Sequence, residues 1–135
     1  MNKEAISSMR GKLIVLPGSS DQFQPSPLQL AIPSKGKIDI INADQILFLK
    51  AVSNYTEVHL ADGQMLFTSF TLKRYCKKLV EPEFLRIHQS YLVHRSSLKT
   101  YIANNNSFIL INNREIPIAR SRKEQVLAHL KNLMV

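Results

Sequence analysis

The chain has 135 residues, 44% of them hydrophobic and 21% charged, with a formal net charge of +8 and a single cysteine. Its length suits one compact domain with a real core, and the balance excludes a disordered chain. No apolar run approaches the roughly 18–20 residues that span a bilayer, and the lone Cys76 excludes an internal disulfide or a CxxC metal motif.

The first 36 residues have little rhythm and hold four of the six prolines, Pro17, Pro25, Pro27 and Pro33. They read as a tail or linker with one candidate strand at "KLIVL". "LIVLP" (Leu13 to Pro17) is also shorter than the core of a secretory signal, about 7–15 apolar residues. A soluble, cytoplasmic protein with no membrane association is the expectation.

From Lys37 the texture changes. "KIDIIN" puts Ile38 and Ile40 on one face, the pattern of a half-buried strand. "ILFLKAV" (Ile46 to Val52) is continuously apolar, as for a strand covered on both sides. "YTEVHL", "ADGQ" and "MLFTSF" read as strand, turn and strand, with Asp-Gly the hairpin signal.

"SFTLKRYCKKL" breaks the alternation. Leu72, Tyr75, Cys76 and Leu79 recur at helical spacing, which predicts a helix near 69–80 capped by Ser69 and ended by "EPE". Lys73, Arg74, Lys77 and Lys78 face outward from it.

After "EFLRIHQSYLVH", the segments "SLKTYIA", "FILI" and "IPIA" are strands separated by Asn-rich corners, since Asn tolerates left-handed backbone. A second helix near 121–134 starts at Ser121, with Glu124 completing a capping box. Val126, Leu127, Leu130, Leu133 and Met134 supply its apolar face. The residues alone give a mainly antiparallel β domain of seven or eight strands with two helices.

Metal chemistry finds little support. The chain has four histidines, His59, His88, His94 and His129, and no HExxH or His/Cys pair at ligand spacing, although His88 and His94 could meet across a hairpin. No cofactor motif occurs. Cys76 reads as a small buried hydrophobe. No nucleophile elbow or phosphate loop is present, so an enzyme is not expected; a metal-independent ribonuclease pairing His88 with His59 or His94 is the one enzymatic alternative.

Charge favours a polyanionic partner. From Phe84 onward eight Lys/Arg face two acids, a net +6. Nucleic-acid recognition needs donors for phosphates and paired donors and acceptors for base edges. "RIHQS" offers both: Arg86 and Ser90 for phosphate, His88 and Gln89 for either. "ARSRK" sets Arg120, Arg122 and Lys123 around Ser121 at a helix start, where free N–H groups also favour phosphate. "SNY" adds Ser53, Asn54 and Tyr55 at a turn between strands.

Four ordered motifs carry a resemblance. "GKIDIINADQILFLKA" follows a pattern containing I-x-x-I-x-Y/F-I-E-A. "NYTEVHLADG" follows N-Y-V-x-[VI]-x-L-x-D-G, and "FLRIHQSYLVH" follows F-x-R-I-H-R/K-S-Y-[IL]-V-N. "IPIARSR" stands for [IL]-P-V-S-R-R. Over residues 30–135 the chain resembles the LytTR DNA-binding domains of bacterial transcription regulators, with residues 1–29 an extension or linker.

The resemblance implies an elongated antiparallel β fold of about ten short strands, from which loops enter successive major grooves of double-stranded DNA. It sets Asn54 in a first contact region, His88, Gln89 and Ser90 in a second, and Arg120, Ser121 and Arg122 in a third. Leu47, Leu49, Phe84, Ile87, Tyr91, Val93 and Ile118 match core positions. The chain departs from the pattern at Lys50, at Gln89 and in the order Ala-Arg-Ser, which leaves either Ser121 or Arg122 in the final contact place. The resemblance further implies a homodimer on repeated sites. Only some 30 residues precede the domain, too few for a receiver module, so a regulatory protein partner is one expectation. A protein-interaction module that keeps the fold without specific DNA binding is the alternative.

Overall fold

The computed structural model describes residues 28–135. The strand expected at "KLIVL" lies outside the described residues. Within them no helix is long and apolar enough to cross a membrane.

The first element, β1 (Gln29–Ser34), pairs antiparallel with β2 (Lys37–Asn42). It falls inside the stretch read as a tail, and its Pro33 is tolerated for a geometric reason. Ala43 N–H donates to Leu28 O at 2.7 Å, so residues 28 and 43 form a bonded pair. Bonded and non-bonded pairs alternate along an antiparallel ladder. Pro33 opposite Ile38 therefore falls on a non-bonded pair, where no N–H is needed.

β2 corrects one expectation. Ile38 and Ile40 do share a face, but that face is solvent: they are 64% and 69% exposed. Leu30, Ile32 and Ile41 turn inward instead.

The central sheet holds β3 (Ile46–Val52), β4 (Tyr55–Leu60), β5 (Met65–Thr68), β6 (Phe84–His88) and β7 (Tyr91–His94) in the order β5-β4-β3-β7-β6. Every neighbour pair is antiparallel. Ile46 to Leu49 are all buried, as a strand covered on both sides requires. Each face has its own core. One gathers Leu49, Val58, Leu66 and Leu92 with the β1–β2 hairpin. The other gathers Phe48, Leu85, Ile87 and Val93 with a second sheet.

That second sheet is β8 (Leu98–Ile102), β9 (Ser107–Leu110) and β10 (Glu115–Pro117), ordered β10-β9-β8. Its Asn-rich corners behave as read: Asn106 and Asn113 have φ of 51° and 68°. Among the described residues, ten strands in antiparallel sheets and two α-helices make the mainly β fold that the resemblance implied.

Both helices are shorter than their apolar stripes predict. α1 is only Leu72–Tyr75, and Thr71, not Ser69, caps it by accepting from Arg74 N–H at 3.3 Å. Leu72, Tyr75 and Leu79 are nonetheless buried. α2 spans Lys123–Lys131 after a 3-10 turn at Arg120–Arg122. Ser121 sits inside that turn and caps nothing, so the expected capping box is absent. Val126 is buried, whereas Leu133 and Met134 are exposed.

Candidate nucleic-acid interface

The β3–β4 turn is Ser53-Asn54 between the paired Val52 and Tyr55. Ser53 takes a φ of 57°, the positive first position of a II′-type hairpin, which glycine usually fills. Ser53, Asn54 and Tyr55 are exposed, and the Tyr55 ring leans on Phe67 with centroids 5.1 Å apart.

The β6–β7 turn lies at the same end of the sheet. Lys50 pairs with Tyr91, and Ala51 N–H donates to Ser90 O at 2.8 Å, so the end of β3 runs directly into this turn. Gln89 is exposed, while His88 and Ser90 are half-buried. Ser90 N–H donates to His88 Nδ1 at 3.0 Å. An acceptor at Nδ1 leaves the proton of the neutral ring on Nε2, which makes that nitrogen a donor.

Arg86 is engaged by the backbone of its own turn. Nε donates to His88 O at 2.8 Å, one terminal nitrogen to Gln89 O at 2.6 Å and the other toward Cys76 Sγ at 3.2 Å. Two of its five N–H groups thus hold the turn, and a third ties it to Cys76. The phosphate-donor role expected for Arg86 meets a guanidinium already engaged by two turn carbonyls and a thiol, with the Gln89 bond at the exposed rim. Cys76, read as a buried hydrophobe, is half-buried and meets this guanidinium.

The third cluster joins the row through Ala119, whose N–H donates to Ile87 O at 2.8 Å. Asn106 steadies the approach: Nδ2 donates to Ile118 O at 2.9 Å and Ile118 N–H to Asn106 O at 2.9 Å. No motif marked Asn106 for this role; its only signal was an Asn-rich corner. Arg120, Ser121 and Lys123 are exposed and Arg122 is half-buried. Arg120 and Arg122 lie in the 3-10 turn and Lys123 opens α2, so three cations fall within four consecutive positions. No side chain caps α2, leaving first-turn N–H groups open to an anion.

The three clusters therefore stand in a row at one end of the central sheet. Strands lie about 4.8 Å apart, so the two hairpin turns are roughly 10 Å apart and the third cluster about one strand further on. No acidic residue occurs at 53–55, 86–90 or 119–123. Lys50, half-buried beside the middle turn, lies 5.9 Å over the Tyr91 ring and adds charge there.

The core positions are buried as the resemblance implied, with Tyr91 only partly so. The histidines do not pair. His88 is opposite Tyr91 and His94 opposite Phe84, at the two ends of the β6–β7 ribbon. His59 stacks on Phe48 at 4.2 Å and bonds Glu57 at 2.9 Å. His94 caps the turn after β7, its Nδ1 accepting from Ser96 N–H at 3.0 Å. Burial pushes the His94 pKa below its ordinary value of 6.5. Among the described residues no group of three or more His, Cys, Asp or Glu could hold a metal ion.

Known proteins share this fold. No curated protein sequence matches the chain. Among solved structures, the LytTr DNA-binding domain of a Bacillus cereus response regulator is similar, with a TM-score of 0.66 at 16% identity, covering 78% of this chain and 98% of that one. The family model of the LytTr DNA-binding domain matches residues 36–131. The chain belongs to the LytTR DNA-binding domain family.

Proposed function

We infer that this chain binds double-stranded DNA sequence-specifically, through loops set in the major groove, and acts as a bacterial transcription regulator in the cytoplasm. The observation that carries the reading is the row of three exposed, acid-free turns at one end of a rigid sheet. The family it belongs to is one of DNA-binding domains, not of enzymes.

Roles divide by chemistry. Asn54 and Gln89 are exposed amides on fixed turns, and an amide can pair bidentately with adenine. His88 offers Nε2–H beside Gln89. Arg120 and Lys123, both exposed, are the phosphate clamps, with Arg122, Ser53, Tyr55, Ser90 and Ser121 flanking. Arg86 is a positioning residue that shapes the middle turn. The row is wider than one major groove of about 12 Å, so its ends reach past the walls of a single groove.

Selection of bound duplexes from a random pool tests this directly. One enriched motif is expected, with affinity falling at about 0.9 in log K per log salt for each neutralised phosphate. Gln89→Ala should relax one base position by about 1–3 kcal/mol and leave the salt slope alone. A pool with no enriched motif, bound with no salt dependence, would instead support a protein-interaction module.

A further inference from the structure

We propose that the outer edge of β2 is a self-association surface, where two copies of this chain pair β2 against β2 in antiparallel fashion. This rests on the hairpin alone and is independent of the DNA reading.

The two edges of the β1–β2 hairpin differ. Residues 37, 39 and 41 of β2 bond inward to β1, by the alternation fixed at Ala43 and Leu28. Ile38 and Ile40 therefore aim their N–H and C=O groups away from β1. Among the described residues no backbone group outside the hairpin bonds to them. The remaining outward group, Asn42 N–H, already donates to Gln45 Oε1 at 2.8 Å. On β1 the corresponding edge is blunted, because Pro33 has no N–H to offer. Among the described residues, one edge is protected and the other is not.

The open edge also carries apolar surface. Ile38 and Ile40 stand at 64% and 69% exposure, beside Pro33 and Ala31 across the ladder. An unprotected strand edge with exposed isoleucines is a template for another strand.

Charge selects the occupant and the register. A two-fold axis at Ile38 sets Ile38 against the partner's Ile38 and, twice over, Lys37 against the partner's Asp39. A shift that opposes Ile38 to the partner's Ile40 brings the two Asp39 carboxylates face to face, which like-charge repulsion disfavours. Lys37 and Asp39 lie 3.5 Å apart within the strand, so both already occupy one side of it. A second copy supplies the complementary pair with no other partner needed.

Sedimentation velocity of the full chain from about 1 μM to about 1 mM is the test. A monomer–dimer shift is expected. Ile38→Lys or Ile40→Lys should weaken it by roughly tenfold or more, since either would bury an ammonium at the seam. Both positions are solvent-exposed in the monomer, and a thermal melt checks that each variant folds. Lys37→Asp should weaken the dimer, and adding Asp39→Lys should restore it. Amide exchange at Ile38 and Ile40 should slow as concentration rises. A chain monomeric throughout, a dimer indifferent to Ile38→Lys, or amides protected equally in the dilute monomer would each overturn the proposal. The last outcome would mean that the chain covers its own edge.

Discussion

Replacing Arg86 by lysine separates two roles that a deletion would confuse. Arg86→Lys keeps the charge and loses the fork that reaches both His88 O at 2.8 Å and Gln89 O at 2.6 Å. A hydrogen bond from a charged donor contributes about 1.5–3 kcal/mol net. Arg86 is half-buried and a lysine can retain one of the two carbonyls, so the lower end applies, about 1.5–2 kcal/mol. If the turn must re-form on binding, that cost appears in the affinity, and 1.4 kcal/mol is tenfold. Binding to the selected duplex should then weaken by roughly 10–30-fold in a fluorescence-anisotropy titration. The salt slope should not change, because no phosphate contact is lost. Were Arg86 a phosphate contact, lysine would serve as a point charge and affinity would hardly move. A variant within about threefold of wild type would refute the positioning role.

Three further changes probe the scaffold. Ser53→Gly removes the left-handed strain at φ 57°, worth about 1–2 kcal/mol, against roughly 0.5–1 kcal/mol of added backbone entropy. Urea unfolding should show a net gain, and a loss would mean that Ser53 makes a compensating contact. Ser97 is fully buried, with its hydroxyl 2.9 Å from Leu47 O and 2.7 Å from His94 O. Ser97→Ala should cost about 1–3 kcal/mol in the same assay; a neutral result would show that the carbonyls find other donors. His94 has a lowered pKa in the folded chain because burial disfavours its charge. The unfolded chain therefore binds that proton more tightly, so stability is full above about pH 6.5 and is lost as pH falls through the folded value. His94→Asn can keep the cap without titrating, and its stability should be flatter across that window; an unchanged profile would assign the slope elsewhere.

Strand order and face were legible wherever pattern and burial coincide. Continuous apolarity at Ile46 to Leu49 marked a strand with a core on each side, and alternation in "YTEVHL" put Thr56, Val58 and Leu60 inward. β1 was hidden by Pro33, which signals a break unless the ladder's hydrogen-bond phase is known. Ile38 and Ile40 misled for a related reason. Periodicity identifies a face, but only tertiary packing decides whether that face meets a core or water. Helix lengths failed because stripes at 3.6 spacing also fit a single turn followed by irregular backbone, as from Leu72 to Leu79.

The candidate interface was legible as residue types and illegible as roles. "RIHQS" announced donors in a basic setting, yet nothing in five letters says that Arg86 points back under its own turn while Gln89 points out. That division follows from strand pairing. Arg86 precedes the reversal and Gln89 lies in it, so a side chain before the turn can reach the carbonyls at the turn. A recognition helix satisfies its own backbone and presents side chains on a rigid rod. A hairpin turn has no such internal ladder, so presenting an amide in a fixed orientation requires a donor from below. In this fold Arg86 is that donor for the middle turn, and Asn106 steadies the segment leading to the third. The rigidity that reading a base edge demands is thus distributed among half-buried supports, and exposure alone would have missed them.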